Sequence, residues 1–187
     1  MGQYEAVHKG GGGLNPEIEL VGDWDKVMAV INGHALSAAV IAGAKEGQHK
    51  AAKQIVKLVK ENINRGGVPG IHWPGFSPSY LVQKARKGGG NKAYIYTGQY
   101  YSSISVIVKP SGIYAGIPRW AKGRVNKNSA SLTKIARILE YHRPLWKPTF
   151  RQFGGKAAVG LYVTVAIKKN LLLLAGVSSI RGTVKLR

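Results

Sequence analysis

The sequence contains no cysteine. That excludes disulfides, thiolate zinc sites and a cysteine nucleophile. Acidic residues are almost as scarce. There are 8 Asp/Glu against 28 Lys/Arg, a formal charge of +20. Seven of the acids fall in residues 1–61, where seven Lys/Arg balance them. Residues 62–187 hold 21 Lys/Arg and a single acid, Glu140, so this stretch carries all of the net charge. A segment so one-sided repels itself unless something acidic meets it. Nucleic acid, an acidic protein surface and an anionic membrane are the candidate partners. Long apolar runs are missing too. "AAVGLYVTVAI" (157–167) is separated from "LLLLAGV" by Lys168, Lys169 and Asn170. Neither piece reaches the roughly 20 residues that span a bilayer. The N-terminus has no apolar leader segment. The expectation is a soluble protein without a membrane partner.

Catalytic groups are equally sparse. The five histidines, His8, His34, His49, His72 and His142, share no ligand spacing. "GGKAAVG" (154–160) lacks the upstream glycine and the following Ser/Thr of a phosphate loop. Glu140 lies near Lys134, Arg137, Arg143 and Lys147 in sequence, which points to a structural ion pair. No nucleophile–base pair emerges. The expectation is a non-enzyme with no metal and no cofactor.

What is present is a 44% hydrophobic chain able to bury a core. Residues 1–16, with Gly10–Gly13, read as a flexible arm. "EIELVG" (17–22) alternates like a short strand. Asp23 or Asp25 can start a helix through "DWDKVMAVING". From residue 35 to 65, Leu36, Val40, Ala44, Ala51, Ile55, Leu58, Val59 and Ile63 recur at threes and fours. They predict a long amphipathic helix, weakened at Gly43 and Gly47 and stopped by Gly66-Gly67 and Pro69. The Pro/Gly-rich "GGVPGIHWPGFSPSY" (66–80) is a loop with Trp73 and Phe76 as anchors, followed by a basic helical turn over 79–86.

Next comes the tyrosine-rich "AYIYTGQYYSSISVIV" (93–108). Its end alternates, so Ile104, Val106 and Val108 should share one strand face. Pro110, Ser111 and Gly112 turn the chain, and 113–118 returns as the antiparallel partner. A basic loop follows with Arg119, Trp120, Lys122, Arg124 and Lys127. Ser131 can cap a helix over 132–142 with Leu132, Ile135, Ile138 and Leu139 on one face. Residues 149–175 are β-prone in composition, yet Phe150, Phe153, Ala157, Leu161 and Val165 recur at helical intervals, and a helix is the favoured reading. The tail 176–187 reads as a basic arm, leaving 17–175 as one domain.

Basic residues interleaved with Trp120, Trp146, Tyr94 and Tyr96 could bind phosphate and stack bases. No zinc finger, helix-turn-helix or RNP-like string accompanies them. A stand-alone nucleic-acid-binding module is therefore the alternative reading.

Two stretches resemble a known family. In "GIHWPGFSPSYLVQKARKGGGNKAYIYTGQYYSSISV" (70–106), Trp73-Pro74, Ser77-Pro78, Lys84, Thr97-Gly98 and Ser103-Ile104 match in order the pattern of tailed-bacteriophage neck, minor tail and tail-completion (virion morphogenesis) proteins. In "KIARILEYHRPLWKPTFRQF" (134–153), Glu140, Arg143-Pro144 and Pro148 match a helix that ends in Glu before Arg-Pro leads into the last helix. The sequence departs from the pattern at Tyr141-His142 and at Leu145-Trp146. The resemblance covers about residues 40–153.

It implies an α+β subunit: a long N-terminal helix packed on a small antiparallel sheet, further helices toward the C-terminus and flexible terminal arms. It also implies no catalytic residues. The expected place is a hexameric or dodecameric homo-oligomeric ring at the head-to-tail interface of a virion, made in the host cytoplasm. The ring's neighbours would be neck, connector and tail-terminator or tube proteins, with DNA in the central channel. On that reading Trp73, Phe76, Arg119, Trp120, Lys122, Arg124 and Lys127 face neighbours or DNA. The tyrosines frame the sheet edge and subunit contacts.

Overall fold

The computed structural model describes residues 18–22, 33–86, 94, 98–125, 128–176 and 182–186. It is an α+β chain with one long helix near the N-terminus. The elements in order are β1 (Ile18–Gly22), α1 (Gly33–Arg65), α2 (Pro78–Arg86), α3 (Gln99–Ser103), β2 (Ser105–Lys109), β3 (Gly112–Gly116), β4 (Lys122–Val125), β5 (Asn128–Ser131), α4 (Leu132–His142), α5 (Trp146–Phe153), α6 (Gly155–Leu174) and β6 (Gly182–Leu186). The helix expected over residues 23–32, the glycine turn 88–90, Tyr96, Thr97 and Lys127 lie outside the described residues.

The strands form three two-stranded sheets, β1–β6, β2–β3 and β4–β5. The first is antiparallel, with Ile18 opposite Leu186 and Gly22 opposite Gly182. Part of the expected C-terminal arm is therefore a strand. The third pairs Lys122 with Ser131 and Val125 with Asn128.

The chain divides into two compact units that cut across sequence order. One draws on residues up to 51, on 108–113 and on 156 onward; the other on 52–107 and 114–155.

In the first unit, α6 packs on the first half of α1. Val163, Ile167 and Leu171 are its buried residues, against Ala35, Leu36, Ala39, Val40 and Ala44. The glycines expected to weaken α1 instead allow this contact. A Cβ on Gly43 would lie 2.5 Å from the Ile167 Cα, and one on Gly47 would be closer still to the Val163 Cα. Only glycine permits so close a helix crossing. Glu46, between them, accepts from Lys169 Nζ at 3.2 Å and from Asn170 Nδ2 at 3.0 Å, and pairs with Lys50 at 2.7 Å.

The apolar face expected across residues 150–165 is corrected. Leu161 and Val165, on α6, are exposed. Gly154, between α5 and α6, and Gly155, the first residue of α6, have left-handed backbones at φ +102° and +63°. The two apolar runs flanking Lys168–Asn170 join in one 20-residue helix, long and apolar enough by composition to cross a membrane.

In the second unit, the other half of α1 supplies Ile55, Val59 and Ile63 to a core completed by Val68, Tyr94, Tyr100, Ile104 and Leu145. Ala115 and Ile117, from and just after β3, pack on this core. The helix ends as its glycines predict. Gly66 is left-handed at φ +86°, Gly67 N–H bonds to Asn62 O at 2.9 Å and Gly66 N–H to Ile63 O at 3.1 Å. This is a Schellman closure. At the sheet, Ile104 is buried as expected but Val108 is 68% exposed. The short α3 occupies residues 99–103, so β2 starts at residue 105 and its far end runs out with the hairpin turn.

Candidate functional site

The residues of the two family-like stretches meet in the second unit. Trp73 Nε1 donates to Pro144 O at 3.0 Å. The Arg143 guanidinium donates to Pro74 O at 2.8 Å and Gly75 O at 3.2 Å, and stacks 4.2 Å from the centre of the Phe76 ring. Lys84 Nζ, on α2, lies 4.6 Å from the same ring. Burial first, and then the charge of Arg143, pull the Lys84 pKa below that of an ordinary lysine. The Tyr94 hydroxyl donates to Arg143 O. The Pro/Gly loop of 66–77 is thus fastened by side chains. Its glycines and prolines deprive it of a regular backbone ladder.

Trp73 and Phe76 are half-buried and pack against the unit's own core, and their rings are the loop's apolar attachment. The expectation for the tyrosines is corrected. Tyr94 is 4% exposed and Tyr100 5%, so neither frames a sheet edge or offers a stacking surface. The Tyr94 ring lies between those of Trp73 and Tyr100, tilted to both, at centroid distances of 5.5 and 5.1 Å. Tyr94 is also a non-glycine residue at φ +61°. Trp146 Nε1 donates to the Tyr100 hydroxyl at 3.2 Å. Burial drives the Tyr94 pKa well above the ordinary tyrosine value and pushes Tyr100 up to about 12. A buried aromatic ring with a hydrogen-bonded hydroxyl gains apolar contact without stranding its polar end.

Glu140 does not form the expected ion pair. Its carboxylate accepts from the backbone N–H groups of Leu145 at 2.9 Å, Trp146 at 3.1 Å and Lys147 at 3.4 Å. These are the orphan donors at the start of α5, whose N-cap, Leu145, makes no side-chain cap bond. A carboxylate there also suits the positive end of the helix dipole. Gly98, at φ +75°, turns the chain into α3. Ser102 and Ser103 Oγ both donate to Gln99 O, at 3.0 and 2.7 Å. Asn62, fully buried on α1, donates to Thr149 Oγ1 at 2.9 Å and Gln152 Oε1 at 2.8 Å. Its spacing from Val59 and Ile63 puts it on the apolar face of α1, and that was the sequence signal for its burial.

The basic loop is different. Pro118 O accepts from Ala121 N–H at 3.0 Å, so Arg119 and Trp120 are the two central residues of a closed β-turn. Ala121 is buried, and its carbonyl accepts from Leu132 N–H at 3.1 Å. The backbone is thereby fixed, while Trp120 is 81% exposed and Arg119 and Lys122 are exposed. Arg124 follows on β4. Ser131 sits at the N-cap of α4, but its hydroxyl bonds to Thr133 Oγ1 at 2.7 Å rather than to the helix backbone. Ile138 and Tyr141 on α4 are also exposed.

Among the described residues no group of three or more His, Asp or Glu could hold a metal ion. No protein-family model, curated protein or solved structure matches the chain.

Proposed function

We propose that the chain is a structural subunit of the head-to-tail connection of a tailed-phage virion, a neck or tail-completion protein that works as a homo-oligomeric ring. One observation carries this reading. The Trp-Pro/Ser-Pro stretch and the Glu/Arg-Pro stretch, 69 residues apart at Arg143 and Pro74, are fastened to each other by side chains. Trp73 and Pro74 of one stretch thus lie against Arg143 and Pro144 of the other, which supports reading the two stretches together. Their roles are all structural. Arg143 and Trp73 hold the loop, Gly98 turns the chain and Glu140 starts a helix. The work of such a subunit is assembly. Its positive charge, uncompensated over residues 62–187, is met by acidic neighbours in the ring or by DNA in the channel.

Imaging of the native particle with this chain labelled tests the reading. Density for a ring of copies on the head-to-tail axis is expected; a chain confined to the capsid shell, or absent from the particle, overturns it.

The exposed Arg119-Trp120 turn supports a second reading, a free nucleic-acid-binding module. Binding by a monomer with a steep loss of affinity as salt rises would favour it.

A further inference from the structure

Helix α6 is covered on one side only. Val163, Ile167 and Leu171 pack against α1, while Leu161 and Val165, on the other side, are 63% and 58% exposed. Leu172 is half-buried and Leu173 exposed. The steps from Leu161 to Val165 and on to Leu172 are four and seven residues, so the three share a face. A helix this long and apolar is ordinarily enclosed all round, yet only 22% of its most apolar 18-residue stretch is buried. It carries Lys156, Lys168 and Lys169 and no acid. We infer that the outer face of α6 docks on a lipid bilayer with anionic headgroups, the helix lying in the plane of the interface. This goes beyond the ring-subunit reading and does not rest on it. It departs from the expectation of no membrane partner.

Two observations choose this occupant and its pose. First, apolar and cationic residues share the open face. Lys168 is seven residues from Leu161 and three from Val165, which places it on their side of the helix. An anionic bilayer meets both kinds of group at once. Acyl chains take the leucines, and headgroup phosphates lie at the level that lysine reaches by snorkelling. Duplex DNA offers phosphate along its backbone but nothing apolar beside it. A second copy of α6 offers apolar surface but only further lysine. Second, α6 is tied to a helix that cannot follow it across a membrane. Gly43 and Gly47 bring the two backbones together, and Glu46 accepts from Lys169 and Asn170. The same stretch of α1 carries Lys45, His49 and Lys50, which are costly in hydrocarbon. The pair therefore lies on the surface with α6 toward the lipid. Glu46, the acid on that flank, is already matched by Lys50 and Lys169.

The test uses the full-length chain and vesicles of phosphatidylcholine, alone or mixed with phosphatidylglycerol. Binding is read by flotation, and folding of each variant by circular dichroism. The wild type should bind the anionic vesicles about tenfold or more better than the neutral ones. Leu161→Gln/Val165→Gln should weaken that binding about tenfold or more, and Lys156→Gln about fivefold. A chain this basic could also adsorb through its other cations, so a second readout locates the contact. The chain has no cysteine, so Leu161→Cys gives a single site for a polarity-sensitive fluorophore. Its emission should shift to the blue on anionic vesicles, whereas a fluorophore at Ile138→Cys on α4, equally open to solvent, should not shift. Absence of anionic binding, or equal binding to both vesicle types, would overturn the proposal. So would anionic binding that the Leu161/Val165 variant leaves unchanged, or a shift at residue 138 without one at 161. Self-association of the wild type that this variant abolishes, with no vesicle binding by either, would give the face to a second copy. Each of these results leaves the position of the chain in a virion to be decided by particle imaging alone.

Discussion

The two halves of α1 bury themselves in opposite ways. The first half uses absence: Gly43 and Gly47 remove side chains so that the α6 backbone can come close. Its core residues are few and aliphatic, and its polar link is Glu46, on the surface. The second half uses bulk: Ile55, Val59 and Ile63 meet Tyr94, Tyr100 and Leu145, and buried hydroxyls and amides cross-link the rings. One continuous helix therefore serves two kinds of packing. The lesson is that helix periodicity identifies a buried stripe but not what the stripe will accept. A seam of glycines admits only a backbone, and a seam of branched residues admits aromatic rings.

The sharpest way to break the comparison is to enlarge the glycine seam. Gly47→Leu should cost about 3 kcal/mol or more, at or beyond the upper end of overpacking costs, because the obstacle is backbone and cannot turn aside. Gly47→Ala should also destabilise, although alanine favours a helix by about 1 kcal/mol in an open position. Denaturant unfolding measures both. A Gly47→Ala protein more stable than the parent would show that the seam is looser than it stands.

The second half breaks at its fastenings instead. Arg143→Ala removes two bonds to the loop and the stack on Phe76, for an expected loss of about 2 kcal/mol. The proteolysis rate of the 66–77 loop should rise with it, while amide exchange in α6 stays unchanged. Tyr94→Phe removes one hydroxyl and leaves the Arg143 carbonyl without that donor, at about 1–2 kcal/mol.

pH separates the halves most gently. Bonds from Lys50, Asn170 and Lys169, in that order, lower the Glu46 pKa from 4.5 to about 2. Its contribution is therefore present above pH 4.5 and is lost as pH falls toward 2. Burial raises the Tyr100 pKa from 10 to about 12, so its contribution is complete below pH 10 and is lost as pH rises toward 12. Acid should loosen the first unit and alkali the second. Tyrosinate absorbance and exchange of α6 amides, followed across pH, check the order. Loss of α6 protection in alkali ahead of tyrosine ionisation would contradict it.

Much of this architecture was legible beforehand. The three- and four-residue recurrence from Leu36 to Ile63 announced α1, and Gly66-Gly67 announced its end, because both signals are local. The 105–116 hairpin was legible from its turn residues. The faces of the shorter elements were not. Leu161 and Val165 recur at the helical interval of Phe150 and Phe153, yet both are exposed on α6, whose buried residues are Val163, Ile167 and Leu171. Glu140 among cations read as an ion pair, because a sequence does not say which backbone donors will be left orphaned nearby. The tyrosines read as a surface because their hydroxyls had no visible partner. Arg143 O and Trp146 Nε1 come from 49 and 46 residues away.

The sequence alone determined α1 and its stop, α2, α4 and the distribution of charge, since these follow from neighbours a few residues apart. The tertiary structure decided which glycines are seams, which aromatics are core and which, Trp120 and Tyr141 among them, are left in water. Those outcomes depend on what distant segments bring within a few ångströms, and no local pattern encodes that distance.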